Sequence, residues 1–182
     1  MTRFSMVNRK NGDGYNPRYQ RHHLIPLQAA SIAEIREPLD EIAGASRIRS
    51  GGKDQCSSGY GFDFDNFETN GVLLPSDEAM ALKTGHPLHR GPHPRYNELV
   101  IERLRLIIRL SHGIENRIQR RVFFRLRMKL LQSTLRRALV GSPLPIFRLN
   151  KRDPGLSSSA FVGLDSCVDA LYMATHWPPV RA

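Results

Sequence analysis

Cysteines and long apolar runs are scarce in this chain of 182 residues. Only Cys56 and Cys167 are present, which excludes a cluster of cysteine ligands or a disulfide framework and is typical of a protein made in a reducing compartment. No run of about 18 uncharged apolar residues occurs, so the sequence predicts no transmembrane span. Residues 1–10 lack the apolar core of a secretory signal, and we therefore expect no cleavable signal peptide.

Acidic side chains are scarce in one stretch of the chain. Residues 97–140 hold 11 basic and 3 acidic side chains, whereas residues 1–96 hold 12 basic and 11 acidic side chains. Most of the net charge of +10 therefore lies in a single segment. A localised basic excess indicates a polyanionic partner, with nucleic acid first, an anionic membrane surface second and an acidic protein third.

Apolar periodicity and the placement of proline and glycine predict an α+β chain. The predicted elements are strands at 22–27 and 72–75, a loop at 45–60, and helices at 28–43, 92–110 and 114–140. Pro38 is expected to break the first helix or to start a second one, and Ser76 is expected to cap a helical turn. Gly113 separates the two long helices. Residues 1–19 show no periodicity and are predicted to form a flexible arm.

Five of the seven histidines fall in two clusters, at 22–23 and 86–93. A single histidine is more often a structural or solvated residue than a ligand, but clustering favours a shared site. His22 and His23 are adjacent, so on a strand they point to opposite faces, and one can bind a metal while the other faces a substrate. His89 and His93 bracket a Gly-Pro turn at a predicted helix start. Three imidazoles with an open position are typical of a catalytic metal site.

Four segments, in order along the chain, resemble the AHH nuclease family of the HNH/endonuclease VII superfamily, also called His-metal finger nucleases. The matching segments are Arg21-His22-His23-Leu24-Ile25-Pro26, Gly61-Phe62-Asp63-Phe64-Asp65, Asn70-Gly71-Val72-Leu73-Leu74-Pro75 and His89-Arg90-Gly91-Pro92-His93-Pro94-Arg95-Tyr96. The resemblance covers about residues 20–105.

The resemblance implies a ββα-metal core in which two short strands and a helix hold one divalent ion, either Mg, Zn, Mn or Ni. By position, it makes His22, His89 and His93 the metal ligands and His23 the general base. It makes Asn70 a catalytic-site asparagine that orients the base or the backbone near the metal. Such a site would hydrolyse the phosphodiester bonds of nucleic acid as an HNH-type endonuclease.

Two positions depart from the family pattern, and three histidines are left over. Arg21 stands where the family usually has alanine, and its guanidinium could hold a phosphate, as could that of Arg95. Pro92 replaces a common small polar residue at the helix start. The remaining histidines are His86, for which a surface position competes with a place at the metal, and His112 and His176, which we interpret as structural.

The arginines between residues 97 and 140 allow three interpretations. They could form a solvated helix face, a surface that tracks phosphates beside the metal, or a membrane-binding surface that uses Phe123, Phe124 and Leu126. We favour the second, and the proposed substrate-binding residues are Arg117, Arg120, Arg121 and Arg125.

The sequence therefore predicts an arm at 1–19, a nuclease core at 20–112 and, at 113–182, a basic helical extension with a tail of unassigned role. The expected function is an endonuclease that acts on nucleic acid, DNA more than RNA. The resemblance implies an antibacterial toxin made in the bacterial cytoplasm, exported into competitor cells and neutralised by an acidic immunity protein. A non-catalytic nucleic-acid-binding protein and a basic membrane-active effector are the alternatives.

Overall fold

The computed structural model describes residues 2–43, 62–141 and 149. Both cysteines, the loop predicted at 45–60 and His176 lie outside the described residues. The described part combines helices with one small antiparallel sheet, as the α+β prediction requires.

The sheet pairs β1 (Tyr19–His23) with β2 (Gly71–Pro75), so that His22 lies opposite Val72 and His23 opposite Gly71. The predicted position of β2 is therefore close to the observed one. The predicted first strand, at 22–27, was placed too late in the chain. Leu24 and Ile25 leave the ladder and enter the core because Asn70, rather than a strand, satisfies their backbone.

Five α-helices lie in the described residues, and two details of them differ from expectation. The helices are α1 (Ala33–Ala43), α2 (Phe67–Asn70), α3 (Glu78–Thr84), α4 (Pro94–His112) and α5 (Arg117–Val140). Pro38 lies inside α1 and does not break it. We attribute this to the burial of Ile35 and Leu39 on either side, which offsets the lost amide hydrogen bond. Asp77, and not Ser76, caps α3 by accepting from the amide of Met80.

The two long helices, α4 and α5, contribute many of the apolar side chains of the core. Short loops place sequential helices antiparallel, and α5 packs against both α4 and α1. Phe124 and Leu135 of α5 lie in the same apolar cluster as Leu24 and Val100. Residues on both sides of the domain boundary predicted at 112 therefore share one core. None of the described helices is long and apolar enough to cross a membrane.

The N-terminal segment packs on the sheet, which its lack of periodicity did not predict. Phe4 begins a short 3-10 turn (Phe4–Met6) and is 5% exposed. Its amide donates to the carbonyl of Asp65, and Arg3 forms an isolated bridge with Asn66. The flexible arm predicted at 1–19 is therefore anchored to the core through its first residues.

Candidate metal centre

Three histidines from distant parts of the chain converge at one end of the sheet. His22, His89 and His93 each offer a ring nitrogen, and these atoms lie within 4.8 Å of one another. The centroids of the His89 and His93 rings are 4.7 Å apart, and those of His22 and His89 are 5.1 Å apart. The structure thus brings together the three residues that the sequence nominated as ligands.

Backbone geometry explains how the loop before α4 aims two of these rings. The amide of His89 donates to the carbonyl of Pro75, which fixes the loop against the end of β2. Gly91 then adopts a positive φ of 70°, a conformation that glycine tolerates best. His93 is the N-cap residue of α4 and Pro94 occupies the first turn, so the helix starts two residues later than predicted. The imidazole of His93 makes no capping hydrogen bond.

A glutamine fixes the tautomer of His89. The amide oxygen of Gln20, which can only accept, lies 2.8 Å from Nδ1 of His89. Nδ1 therefore carries the proton in the neutral ring, and Nε2 carries the lone pair. That Nε2 atom lies 3.2 Å from Nδ1 of His22. A hydrogen bond that holds the outer nitrogen of a ligand histidine is typical of metal sites.

Several nitrogens of the cluster are buried without a partner. Nε2 of His22 and both ring nitrogens of His93 have no hydrogen-bond partner among the described residues. Burial, followed by the neighbouring imidazoles, lowers the pKa of His22 well below its usual value. Burial likewise lowers the pKa of His89, to about 4, and that of His93. The cluster is therefore held neutral at pH 7, the form in which imidazole binds a metal.

The donor set and spacing fit a divalent ion. Two nitrogens at about 2.1 Å from a tetrahedral ion are about 3.4 Å apart, close to the 3.2 Å between His22 and His89. Buried nitrogens without partners commonly mark an ion site. The cluster contains imidazoles and no carboxylate. Such a set suits zinc or nickel best, and it suits manganese less well because manganese, like magnesium, favours oxygen ligands.

His23 lies beside His22 on β1 but in a different environment. Its imidazole stacks on the ring of Phe4, with centroids 3.4 Å apart and planes 4° from parallel. Burial lowers the pKa of His23, with a smaller lowering from Arg21, while the carboxylate of Asp65 opposes the shift. The neutral ring that results is the form that a general base needs at pH 7.

Asn70 acts on the backbone and is completely buried. Its side-chain oxygen accepts from the amide of Ile25, and its side-chain nitrogen donates to the carbonyls of Ile25 and Phe64. Its own carbonyl accepts from the amide of Leu24. Three of these four hydrogen bonds are made with Leu24 and Ile25, directly after His23, and the fourth is made with Phe64. Asn70 therefore holds the backbone beside the two histidines of β1.

Tyr96 completes the site and was assigned no role by sequence reasoning. Its hydroxyl donates to the carbonyl of Leu24 at 2.6 Å, and its ring packs edge-on against His22. Burial raises the pKa of the Tyr96 hydroxyl, which keeps it protonated as a donor. Residue spacing could have predicted that Tyr96 and Gln20 lie near the histidines. Tyr96 follows His93 by three residues, about one helical turn, and Gln20 precedes His22 by two residues on the same face of a strand.

The predicted phosphate ligands divide into two groups. Arg21 directs Nη1 to the carbonyl of Phe4 at 2.8 Å, so part of its guanidinium is used within the chain. Arg95 lies two residues after His93 and is exposed. Within the part of the chain that the structure describes, its one ion pair is a long one, 3.7 Å from Glu98. Such exposed pairs are weak, so Arg95 remains available to an anion beside the histidines.

Arg117, Arg120, Arg121 and Arg125 are not brought to the metal centre. They lie within the first nine residues of α5, which follows the end of α4 remote from His93. The 19 residues of α4 span about 28 Å. Any phosphate that Arg117 binds is therefore far from a phosphate held at the histidines. Phe123 and Phe124 are buried, which removes the main support for a membrane-binding surface.

The remaining histidines do not join the cluster. His86 is half-buried, and it lies outside the group of described residues that could hold an ion. His112 is exposed in the last turn of α4.

Comparison with protein families gives one match over most of this region. The model of AHH, a nuclease family of the HNH/ENDO VII superfamily with conserved AHH, matches residues 4–123. No curated protein and no solved structure matches the chain.

Proposed function

The chain belongs to the AHH family of nucleases, and from that premise we propose that it is a metal-dependent endonuclease that uses His22, His89 and His93 to hold one divalent ion. The observation that supports this most is the convergence of three neutral imidazoles within 4.8 Å. We propose zinc or nickel, and less favourably manganese, as the effective ion because the donor set is all nitrogen.

The proposed reaction is hydrolysis of a phosphodiester bond. A bound divalent ion would supply positive charge to the phosphate and to the leaving oxygen. The other contributions come from the chain. The first amides of α4 have no helical partner, so the positive end of a 19-residue helix faces the site and favours an anion there. Arg95 adds a nearby cation.

His23 is proposed as the general base. Its neutral imidazole takes a proton from water while the water oxygen forms a bond to phosphorus and the bond from phosphorus to the leaving oxygen breaks. The bonding electron pair stays on the leaving oxygen, which then takes up a proton from solvent. General-base catalysis of this kind contributes about 10²–10⁴-fold to a rate. Asn70 and Tyr96 hold the backbone at Leu24 and Ile25, and so keep His22 and His23 in register.

We further propose a biological role as an antibacterial toxin, with DNA preferred over RNA, export into competitor cells and inhibition by an acidic immunity protein. The support is the family resemblance together with the net charge of +10, which favours a polyanionic substrate and an acidic inhibitor. Binding of the purified chain to a small acidic protein encoded beside it would test the inhibitor.

Nicking of supercoiled plasmid by the purified chain tests the enzymatic proposal. We expect nicking with added Zn²⁺, Ni²⁺ or Mn²⁺, none in excess EDTA, and slower cleavage of an RNA of equal length. Undiminished cleavage in excess EDTA would show that the reaction does not depend on a divalent metal ion.

Matched histidine variants assign the roles. His89→Ala should lose both bound metal and cleavage, whereas His86→Ala, from the same loop but outside the cluster, should keep both. His23→Ala should keep its metal and lose about 10²-fold or more in cleavage rate. A His23 variant that is purified without metal would overturn the assignment of this residue as base.

A further inference from the structure

The ring of Phe4 covers one whole face of the His23 imidazole. The two centroids are 3.4 Å apart and the planes are 4° from parallel. Phe4 is 5% exposed, and the ring of Phe67 meets it edge-on at 4.9 Å. His23 is therefore fixed against a residue 19 positions earlier in the chain, in a segment with no regular strand or long helix.

Several polar contacts hold this segment in place. The amide of Phe4 donates to Asp65, and the carbonyl of Thr2 accepts from the amide of Phe67. The carbonyl of Phe4 accepts from Arg21, which directly precedes the histidine pair. The backbone of Phe4 is therefore held by hydrogen bonds to two separate parts of the chain, the segment at Asp65 to Phe67 and the strand β1. These bonds help to set the position of the Phe4 ring independently of its stacking on His23.

We propose that Phe4 is a positioning residue for the general base, and that the N-terminal segment is part of the catalytic unit. The inference rests on the proposed role of His23 in the nuclease reaction. The segment was expected to be a flexible arm, whereas the family match itself begins at residue 4.

The physical reason is the rotational freedom of an imidazole on a strand. The second side-chain torsion of histidine is broad, so the ring plane is poorly defined by the backbone. A Phe4 ring stacked flat on one face of the imidazole restricts this torsion of His23. It thereby fixes the direction in which the lone pair of the basic ring nitrogen points. Misplacement of a catalytic group by about 1 Å can cost about 10²-fold in rate, so this restriction acts on turnover and not on substrate affinity.

Three variants of the full chain separate positioning from packing. Phe4→Leu removes the ring but keeps an apolar side chain, Phe4→Tyr keeps the ring, and Phe67→Leu removes a ring that contacts Phe4. With metal saturating, we expect Phe4→Leu to lower kcat for plasmid nicking at least about tenfold, with KM and bound metal unchanged. Phe4→Tyr should restore kcat, and Phe67→Leu should stay within about twofold of the wild type, with metal content and circular dichroism checked for each.

Proton NMR of the histidine rings tests the geometry without activity. The carbon-bound protons of His23, identified by their absence in His23→Gln, should be shifted upfield by the Phe4 ring current, and this shift should vanish in Phe4→Leu. A wild type that shows the shift but no cleavage would count against the nuclease proposal alone. Equal losses of kcat in Phe4→Leu and Phe67→Leu, a loss confined to KM or metal, or no upfield shift in the wild type would overturn the role of Phe4.

Discussion

The neutral state of the histidine cluster has a consequence for stability without metal. Burial lowers the pKa of His22 and His93 and brings that of His89 to about 4. Above about pH 6.5 these rings are neutral in both the folded and the unfolded chain, and they contribute no pH dependence. Below that pH the unfolded chain binds protons first, so the free energy of unfolding falls as the pH drops toward 4.

Thermal unfolding in EDTA at pH 7, 6 and 5 measures this effect. We expect the melting temperature to fall across this range, and to fall less in His89→Gln, which cannot titrate at that position. An equal pH dependence in the variant and the wild type would mean that other groups cause it.

The three ligand histidines could be predicted from the sequence, whereas the hydrogen bonds that hold the site could not. The ligand histidines could be nominated because they lie in short motifs with local spacing. Gln20 and His89 are 69 residues apart in sequence, and Tyr96 and Leu24 are 72 apart. Spacing places Tyr96 near His93 and Gln20 near His22, but no local pattern encodes the hydrogen-bond partners that lie 69 and 72 residues away. The position of Phe4 on His23 likewise depends on a tertiary contact of the N-terminal segment.

At the level of elements, Asn70 links the end of α2 to the chain that leaves β1. Asn70→Ala would leave the buried amide and carbonyl of Ile25 without partners. Each unsatisfied buried group costs about 1–3 kcal/mol, so we expect a loss of at least about 2 kcal/mol in the free energy of unfolding. Because Ile25 closely follows His22, we also expect weaker metal binding.

Asn66→Ala is a matched control for this change. Asn66 is also buried, but its side chain caps α2 and does not reach β1. Loss of a cap costs about 1 kcal/mol, and metal affinity should be retained. Denaturant unfolding and metal titration of both variants make the comparison. Weaker metal binding in both to the same degree would mean that lost stability alone, and not the contact with Ile25, lowers affinity.

Element boundaries were predicted less well than element types. Both long helices and β2 were predicted within a few residues, since apolar periodicity and flanking glycine or proline mark them. The first strand was misplaced because its apolar residues Leu24 and Ile25 serve the core and not the ladder. Of the helix predicted at 28–43, Ala33–Ala43 is α-helical, whereas Leu27–Ser31 forms a separate 3-10 turn. Within the α-helix, tertiary burial outweighed the effect expected of Pro38.

At the scale of the whole molecule, one group of basic residues lies at the start of α5, which follows the end of α4 remote from the metal centre. We propose that Arg117, Arg120, Arg121 and Arg125 bind phosphates of the same duplex at a distance. Changing all four to Gln should lower the slope of log binding constant against log salt by roughly two to four, at about 0.9 for each phosphate contact. The rate of cleavage of bound DNA should change little. Filter binding between low and moderate salt measures the slope, and an unchanged slope would favour a solvated helix face.

The most direct test of the central claim, that the cluster of His22, His89 and His93 is a metal-dependent catalytic centre, is a titration of metal-free protein. Zn²⁺, Ni²⁺ or Mn²⁺ is added stepwise while bound ion and the initial rate of plasmid nicking are measured on the same samples. We predict that the rate rises with bound ion and levels off at one ion per chain, and that His89→Ala shows neither binding nor rate. Full-rate cleavage without bound ion, or a titration that His89→Ala leaves unchanged, would contradict the account.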